Sequence, residues 1–549
     1  MGSSRVKYLA GRALRTASLC GAVLAALPAL AQPDPGAAAT PSAHVHVDRF
    51  EVRGNTLLPA PEVDAALAPY VGERTLAELA QAAAAVQALY GQAGYGAVVA
   101  FLPEQPLGSG TVTIEVREGR IGKIHVKGTR HFSEDSVRAS LPDLQPGRTP
   151  SVRRIDAQIQ MANENPARHV EVLLQPGAQT GDVDANLTVA EQSVQRWTFA
   201  ADNTGDPRTG HVRVSVAWQD ADLTGHDDVL ATQLQTAPKD PGNVVIVSAA
   251  YRYPFYGAGL ALDAYGAYSD IDGGTTATAA GGLTFSGKGD VAGLRLTKYL
   301  ARLGELDQRA SVGLENRDYR NSCRIEGLPD GACGPAGESV SVQPLTLGYS
   351  LQQGGATAFG LNLALAYNLM LGGSHGSAAD FEAVRPGSEP RYLVLRVNAF
   401  GATPLPADLL LQARLAAQFA GDGLVPGEQF GLGGALSVRG YEERELAGDS
   451  GAALSVELVS PELLPRPAGG SPGTSLRVLG FGDLGWVRNQ LDTPCLPGAV
   501  ECTLASLGLG GRLVSGGLQA RLDVARAFKT GATTQRGDWR LHAALSYGF

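Results

Sequence analysis

The sequence predicts a membrane β-barrel of about 16 antiparallel strands preceded by two small α+β domains. From 193 to the end, stretches of about ten residues alternate in apolar and polar character and are separated by Gly, Asp, Asn and Pro turns. Between 45 and 192 a mixed helix and strand pattern occurs twice. The 549 residues include 70 Gly and only 3 Met, a composition that suits strands and turns better than a helical enzyme.

The chain opens with Arg5, Lys7, Arg12 and Arg15, then an apolar stretch closing on Ala29-Leu30-Ala31. Residues 1–31 therefore read as a secretory signal peptide with a small-residue cleavage site. Residues 32–44 form a short Pro- and Ala-rich segment, too short for a helix that could span a barrel at about 1.5 Å per residue. No later window holds the roughly 20 apolar residues of a spanning helix. The net charge of −9 argues against a nucleic-acid partner, which calls for a basic face.

Residues 45–119 and 120–192 are the two copies of the small domain. Val52-Arg53-Gly54-Asn55 ends a strand in the first, and Val126-Lys127-Gly128-Thr129 ends a similar strand 74 residues later. Helices are expected over 61–70 and 75–95, the latter with Leu76, Leu79, Ala83 and Val86 on one face. Strand 111–117 alternates Val112, Ile114 and Val116 against Thr113, Glu115 and Arg117. The second copy offers helices over 133–141 and 151–163, then strands over 169–174 and 185–189. The order in each is β-α-α-β-β.

Residues 193–549 are the barrel. The last strand sets Trp539, Leu541, Ala543, Leu545, Tyr547 and Phe549 on one face and Arg540, His542, Ala544, Ser546 and Gly548 on the other, with aromatic residues at both ends for the interfacial girdles. Leu454, Val456 and Leu458 alternate with Ser455 and Glu457, and Leu522 and Val524 with Arg521 and Asp523, so charges fall on the lumen face. Counting back from Phe549 places Cys323 to Cys333, Cys495 to Cys502, and the long segment 424–451 at the outer end. Each Cys pair is flanked by Gly and Pro, and in an oxidising compartment reads as a loop-closing disulfide. Neither pair has the further ligands a metal site needs.

Two motifs go beyond a generic barrel. Gly433-Gly434-Ala435-Leu436-Ser437-Val438-Arg439-Gly440-Tyr441 lies in the longest outer loop, and Phe481-Gly482-Asp483-Leu484-Gly485 lies on the strand two further along. With the paired small domains and the terminal Phe, they resemble the two-partner secretion translocators (TpsB, the ShlB/FhaC/HecB type of haemolysin secretion/activation protein), within the superfamily that includes BamA-type assembly proteins. The resemblance covers essentially the mature chain, from near Gln32 to Phe549. It implies two POTRA domains in the periplasm and a barrel in the bacterial outer membrane. It also implies a loop folded back into the barrel, where Arg439 pairs with Asp483 and Val438, Gly440, Tyr441, Phe481 and Gly485 complete the lock. Such a pairing is physically apt, since a guanidinium offers a planar fork to a carboxylate.

The same resemblance implies export of a TpsA-type exoprotein, haemolysin- or adhesin-like, without ATP or any cofactor. The incoming chain would add as a strand to a POTRA edge, for which the segment His169, Val170, Glu171, Val172, Leu173 and Leu174 is the candidate. Tyr547 and Phe549 would signal to the barrel assembly machinery, and the apolar face would meet outer-membrane lipid. A BamA-type assembly factor is the alternative. An enzyme is not expected. Gly469-Gly470-Ser471-Pro472-Gly473 has the G-x-S-x-G spacing but lies in a turn between strands, not between a strand and a helix. Gly508-Leu509-Gly510-Gly511 lies within a strand with no helix after it. His44 and His46 stand alone at a strand end, and no metal is expected there.

Overall fold

The computed structural model describes residues 44–549 apart from 107, 179–180, 206–209, 240, 243, 271–273, 279–280, 286–287, 321–334, 336–337 and 465–472. The expected leader and the Cys323 to Cys333 pair lie outside the described residues, as does most of the G-x-S-x-G segment.

The first small domain is built from β1 (His44–Val47), β2 (Arg49–Arg53), α1 (Ala60–Leu67), β3 (Gly72–Thr75), α2 (Leu76–Gln92), β4 (Val98–Phe101) and β5 (Thr111–Glu118). The single first strand expected from sequence is two. At Asp48, whose N–H donates to the Gly110 carbonyl at 2.7 Å, the chain leaves an antiparallel pairing with β3 and enters a parallel pairing with β5. Helix α2 starts where Thr75 caps it reciprocally with Glu78. It stops short of Tyr95 because Gly94 adopts φ +92°. Leu79, Ala82, Val86 and Tyr90 are its buried face, against Val112 and Ile114 of the sheet.

The second domain repeats the plan with β6 (Arg120–Lys127), α3 (Glu134–Ala139), α4 (Val152–Ala162), β7 (Arg168–Pro176) and β8 (Asp182–Glu191). The sheet orders are β2-β5-β4 and β6-β8-β7. In both, the last strand lies at the centre, parallel to the first and antiparallel to the one before it. The repeated glycine has the same cause in each copy. Gly54 and Gly128 have φ +84° and +91°, and a Cβ there would stand 2.2 Å from the Val116 carbonyl oxygen and 2.1 Å from that of Val189. After each glycine the chain is gripped by the carboxylate ending the central strand. Glu118 accepts the N–H of Thr56 at 2.7 Å, and Glu191 accepts that of His131 at 2.7 Å.

The barrel closes with 16 antiparallel strands. They are β9 (Gln195–Asp202), β10 (Arg213–Asp220), β11 (Val229–Thr236), β12 (Val245–Phe255), β13 (Leu260–Asp270), β14 (Lys288–Leu303), β15 (Leu306–Arg320), β16 (Val340–Val342 and Pro344–Gln353), β17 (Ala358–Asn368) and β18 (Leu393–Pro404), followed by β19 (Leu410–Ala420), β20 (Ser450–Val459), β21 (Ser475–Arg488), β22 (Glu501–Ser515), β23 (Leu518–Ala527) and β24 (Trp539–Gly548). Strand β16 is interrupted at Gln343, before a proline that has no N–H to give the ladder. Strand β24 pairs with β9 from Ala544↔Asp202 to Gly548↔Thr198 and closes the cylinder. Turns such as 304–305 and 516–517 at one end contrast with 369–392 and 421–449 at the other, the asymmetry of an outer-membrane barrel. Alternation holds throughout: Leu484, Leu507, Leu522, Leu541 and Leu545 are exposed on the outside, whereas Glu457, Asp483, Asp523 and His542 are buried inside.

The second domain is joined to the barrel floor. Arg168 at the start of β7 meets Asp227, in the turn between β10 and β11, at 2.7 Å, and its guanidinium lies over the Phe132 ring at 5.1 Å. Beside it, the Asn165 amide donates to the Ala221 carbonyl at 2.6 Å.

Replacing Gly128 by Ala would force a strained φ and displace the Val189 carbonyl, a loss of about 1–3 kcal/mol. In limited proteolysis of the purified full-length protein, Gly128→Ala should expose segment 120–192 to cleavage while the barrel keeps its heat-modifiable migration in SDS.

Candidate functional site

The long loop 421–449 between β19 and β20 turns inward. Its stem is a short antiparallel pair, Phe430–Leu432 with Leu446–Gly448. Beyond the stem, Gly433 and Gly434 both take φ +106°, a reversal that side chains with a Cβ resist. The Gly434 N–H then donates to the Val438 carbonyl at 3.1 Å, which presents Val438, Arg439, Gly440 and Tyr441 to the lumen wall. Leu432, Val438, Tyr441 and Leu446 pack with Ala453, Val487, Leu504 and Ala527 in one apolar cluster, so strands β20 to β23 carry the loop.

Arg439 is 1 % exposed, and its guanidinium is nearly saturated. Nε donates to Asp483 Oδ2 at 2.7 Å and Nη2 to Oδ1 at 2.7 Å, a bidentate fork. Nη1 donates to Glu457 Oε1 at 2.7 Å, and Nη2 also reaches Ser455 Oγ at 2.9 Å. Asp523 lies 3.6 Å from Nη1. The Arg439 backbone N–H adds a bond to Asp483 Oδ2 at 3.0 Å. The face of the group rests on the Phe481 ring, 3.3 Å from its centroid, a stacking that an ammonium cannot reproduce.

The neighbours of Arg439 explain the rest of the motif. Gly440 has φ +93°, and its N–H donates to His542 Nε2 at 3.0 Å, which places the imidazole proton on Nδ1. The Tyr441 hydroxyl sits 2.9 Å from the Lys529 carbonyl and accepts the Lys529 N–H at 3.1 Å. A Cβ on Gly485 would come within 2.3 Å of Leu432 and 2.8 Å of Val438, so the wall must be bare there for the loop to seat. Glu445 ties the loop to the last outer connection by accepting the N–H groups of Thr533 at 2.6 Å and Thr534 at 2.8 Å. Asp449 ties it to two others through Arg385 and the Gln490 N–H at 2.8 Å.

The structure thus brings Val438, Arg439, Gly440, Tyr441, Phe481, Asp483 and Gly485 together. Sequence reasoning missed Ser455, Glu457, Asp523 and His542 as partners of the loop. Their signal was a polar residue on the lumen face of an alternating strand. The other candidate residues lie elsewhere. His169 to Leu174 lie on β7, an edge of its sheet, with Val170 buried and Leu173 exposed. Cys495 and Cys502 form a disulfide. Tyr547 and Phe549 are exposed on the outer face, where Phe549 stacks on Phe199 at 6.2 Å. No cluster of three or more metal-ligating side chains is present among the described residues.

Residues 181–513 match the model of the haemolysin secretion/activation proteins ShlB/FhaC/HecB, and residues 45–119 match the ShlB-type POTRA domain. The chain is 25% identical over 490 residues to the outer membrane transporter CdiB of Escherichia coli O6:K15:H31, covering 87% of this chain and 78% of that one. It is 27% identical over 428 residues to CdiB of Dickeya dadantii, covering 74% and 71%. A shorter match, 25% over 189 residues, is to the heme/hemopexin transporter protein HuxB of Haemophilus influenzae, covering 34% of this chain and 33% of that one. The solved structure of CdiB from Escherichia coli has the same fold, with a TM-score of 0.75 at 20% identity over 94% of this chain and 93% of that one. The chain belongs to the haemolysin secretion/activation family, the TpsB transporters of two-partner secretion, and resides in the outer membrane with its POTRA domains in the periplasm.

Arg439→Lys keeps the charge but loses the fork and the ring contact, whereas Arg439→Ala leaves Asp483 without a cationic partner and Glu457 with Arg414 alone, at a cost on the order of 3 kcal/mol. Both variants should make the loop cleavable by trypsin added to intact cells, Ala more than Lys, with barrel assembly unchanged by heat-modifiable mobility.

Proposed function

We propose that the chain exports a partner exoprotein, haemolysin- or adhesin-like, from the periplasm to the cell surface through its barrel. The observation that carries this reading is the open edge of β7. Val170 on that strand directs its N–H and C=O away from β8, and both are taken by the Asn163 side chain, at 2.7 and 3.1 Å. Backbone groups alternate along a strand, so Val172 and Leu174 direct theirs the same way, beyond the reach of that cap. An extended polypeptide can add there as a further strand, recognised by its main chain more than by its sequence.

Other features support the same reading. The lumen loop is held in part by polar contacts, which can exchange with a passing chain or with water, and no nucleotide-binding loop is present in the sequence. The chain's relatives are named as transporters. Arg439 with Asp483 serves as the lock that seats the loop. Tyr547 and Phe549, on the last strand, serve as the signal read by the barrel assembly machinery, and the apolar outer face contacts outer-membrane lipid.

The test is secretion of a β-helical exoprotein encoded beside this gene, in cells carrying the intact protein, a deletion, Val172→Pro or Arg439→Ala. Deletion should abolish its appearance in the medium and leave other outer-membrane barrels at normal levels. Val172→Pro removes an edge donor without breaking a bond to β8 and should lower secretion by about tenfold. Normal secretion on deletion, together with general loss of outer-membrane barrels, would overturn the reading in favour of an assembly factor.

A further inference from the structure

The lumen loop carries a second buried charge, eleven residues before Arg439, of opposite sign. Glu428 is 2 % exposed, and both of its carboxylate oxygens are bound. Arg317 Nη1 donates to Oε1 at 2.7 Å and the Tyr319 hydroxyl to the same oxygen at 2.8 Å. Arg396 Nη2 donates to Oε2 at 2.8 Å. The Glu428 backbone carbonyl accepts from Gln418 Nε2 at 2.9 Å. The contact is tight, since a Cβ on Gly427 would lie 2.4 Å from the Tyr319 ring. Arg317 is itself held by Glu315, with Nε donating at 2.7 Å, and Arg396 by Gln418, with Nε donating at 2.9 Å.

These partners stand on β15, β18 and β19, whereas those of Arg439 stand on β20, β21 and β23. In the closed barrel order the two sets adjoin at the paired strands β19 and β20 and together reach from β15 to β23, halfway round the 16 strands. The loop is therefore a strap fastened to two sectors of the wall, by an anion to a cationic sector and by a cation to an anionic one. The charge inversion fixes its direction, because a strap laid the other way would face Glu428 with carboxylates and Arg439 with guanidiniums. A lumenal cavity of about 640 Å³ touches both fastenings, lined by Arg317, Arg396 and Glu428 on one side and by Ser437 and Ser455 on the other.

We infer that Glu428 is a second positioning residue of the transport channel, fastening the lumen loop to Arg317 and Arg396 so that the bore left beside the loop is set by two locks instead of one. The role in transport rests on the export reading above, but the fastening itself does not. The two locks share no partner, so their contributions to holding the loop are independent and multiply.

Single-channel recording of the purified full-length protein in planar lipid bilayers tests this without cargo, so its failure is distinct from failure of the secretion test. Glu428→Gln should raise the fraction of time spent in open states by about tenfold, because an amide cannot satisfy two guanidiniums. Glu428→Gln with Arg439→Ala should exceed either alone, by the product of their separate effects. Arg396→Lys, which keeps the charge, should stay close to wild type, and Arg396→Gln should not. An open-state fraction for Glu428→Gln equal to that of wild type, in a barrel that is heat-modifiable in SDS, would overturn the inference. If Glu428→Gln does not assemble, Arg396 decides it, since equal gating by its Lys and Gln variants would mean that charge at this fastening positions nothing.

Discussion

Moving the Arg439 charge out of water is costly, and the inside of the barrel is arranged around offsetting that cost. Three carboxylates, from Glu457, Asp483 and Asp523, converge on it from three strands. Left to themselves these three would repel one another. The wall neutralises part of that repulsion with Arg414 on Glu457 and with Arg512 and Arg521 on Asp523. Asp483 alone receives no other arginine among the described residues, and it is the one that takes the bidentate fork. Wall and loop are therefore mutually required, because each without the other holds an uncompensated charge.

That requirement reaches into the backbone. A guanidinium seats flat on Phe481 only if the loop comes within van der Waals distance of β21, which is why Gly485 has no side chain to offer there. Close approach also orients the peptide of Gly440, whose N–H finds an imidazole on the last strand. The lock thus touches β20, β21, β23 and β24, so strands distant in sequence are tied by one side chain and its neighbours. Beside the neighbour-to-neighbour ladders, this is a cross-link across several strands at once, as the contacts of Glu428 are on β15, β18 and β19.

The barrel was legible in the sequence because period-two alternation is forced by lipid on one face and a polar lumen on the other. The paired small domains were legible through Gly54 and Gly128, since a positive φ beside a carbonyl leaves few substitutes. What alternation cannot reveal is which lumen charges meet. Glu457 and Asp523 were visibly inward, yet their convergence on Arg439 depends on the stagger between strands, a property of register that no single strand encodes. The break of the first strand at Asp48 was hidden for a similar reason. Both halves alternate alike, and only their different partners, β3 and β5, separate them.

The floor of the barrel uses the same kind of contact with a different balance. Arg168 is as buried as Arg439, but two of its guanidinium nitrogens, Nε and Nη1, find no hydrogen-bond partner among the described residues. Its carboxylate partner Asp227 is so enclosed that burial raises the carboxyl from its ordinary value despite the adjacent cation. The aromatic faces of Phe132 and Tyr256 supply part of the missing stabilisation. An apolar pair of the same volume would avoid the desolvation cost, yet it would not select one orientation of the second POTRA domain over its neighbours. A partly satisfied buried pair is therefore the weaker of the two junctions and the more easily separated. The lock around Arg439, with every donor but one nitrogen's second proton accounted for, is the element that holds its geometry.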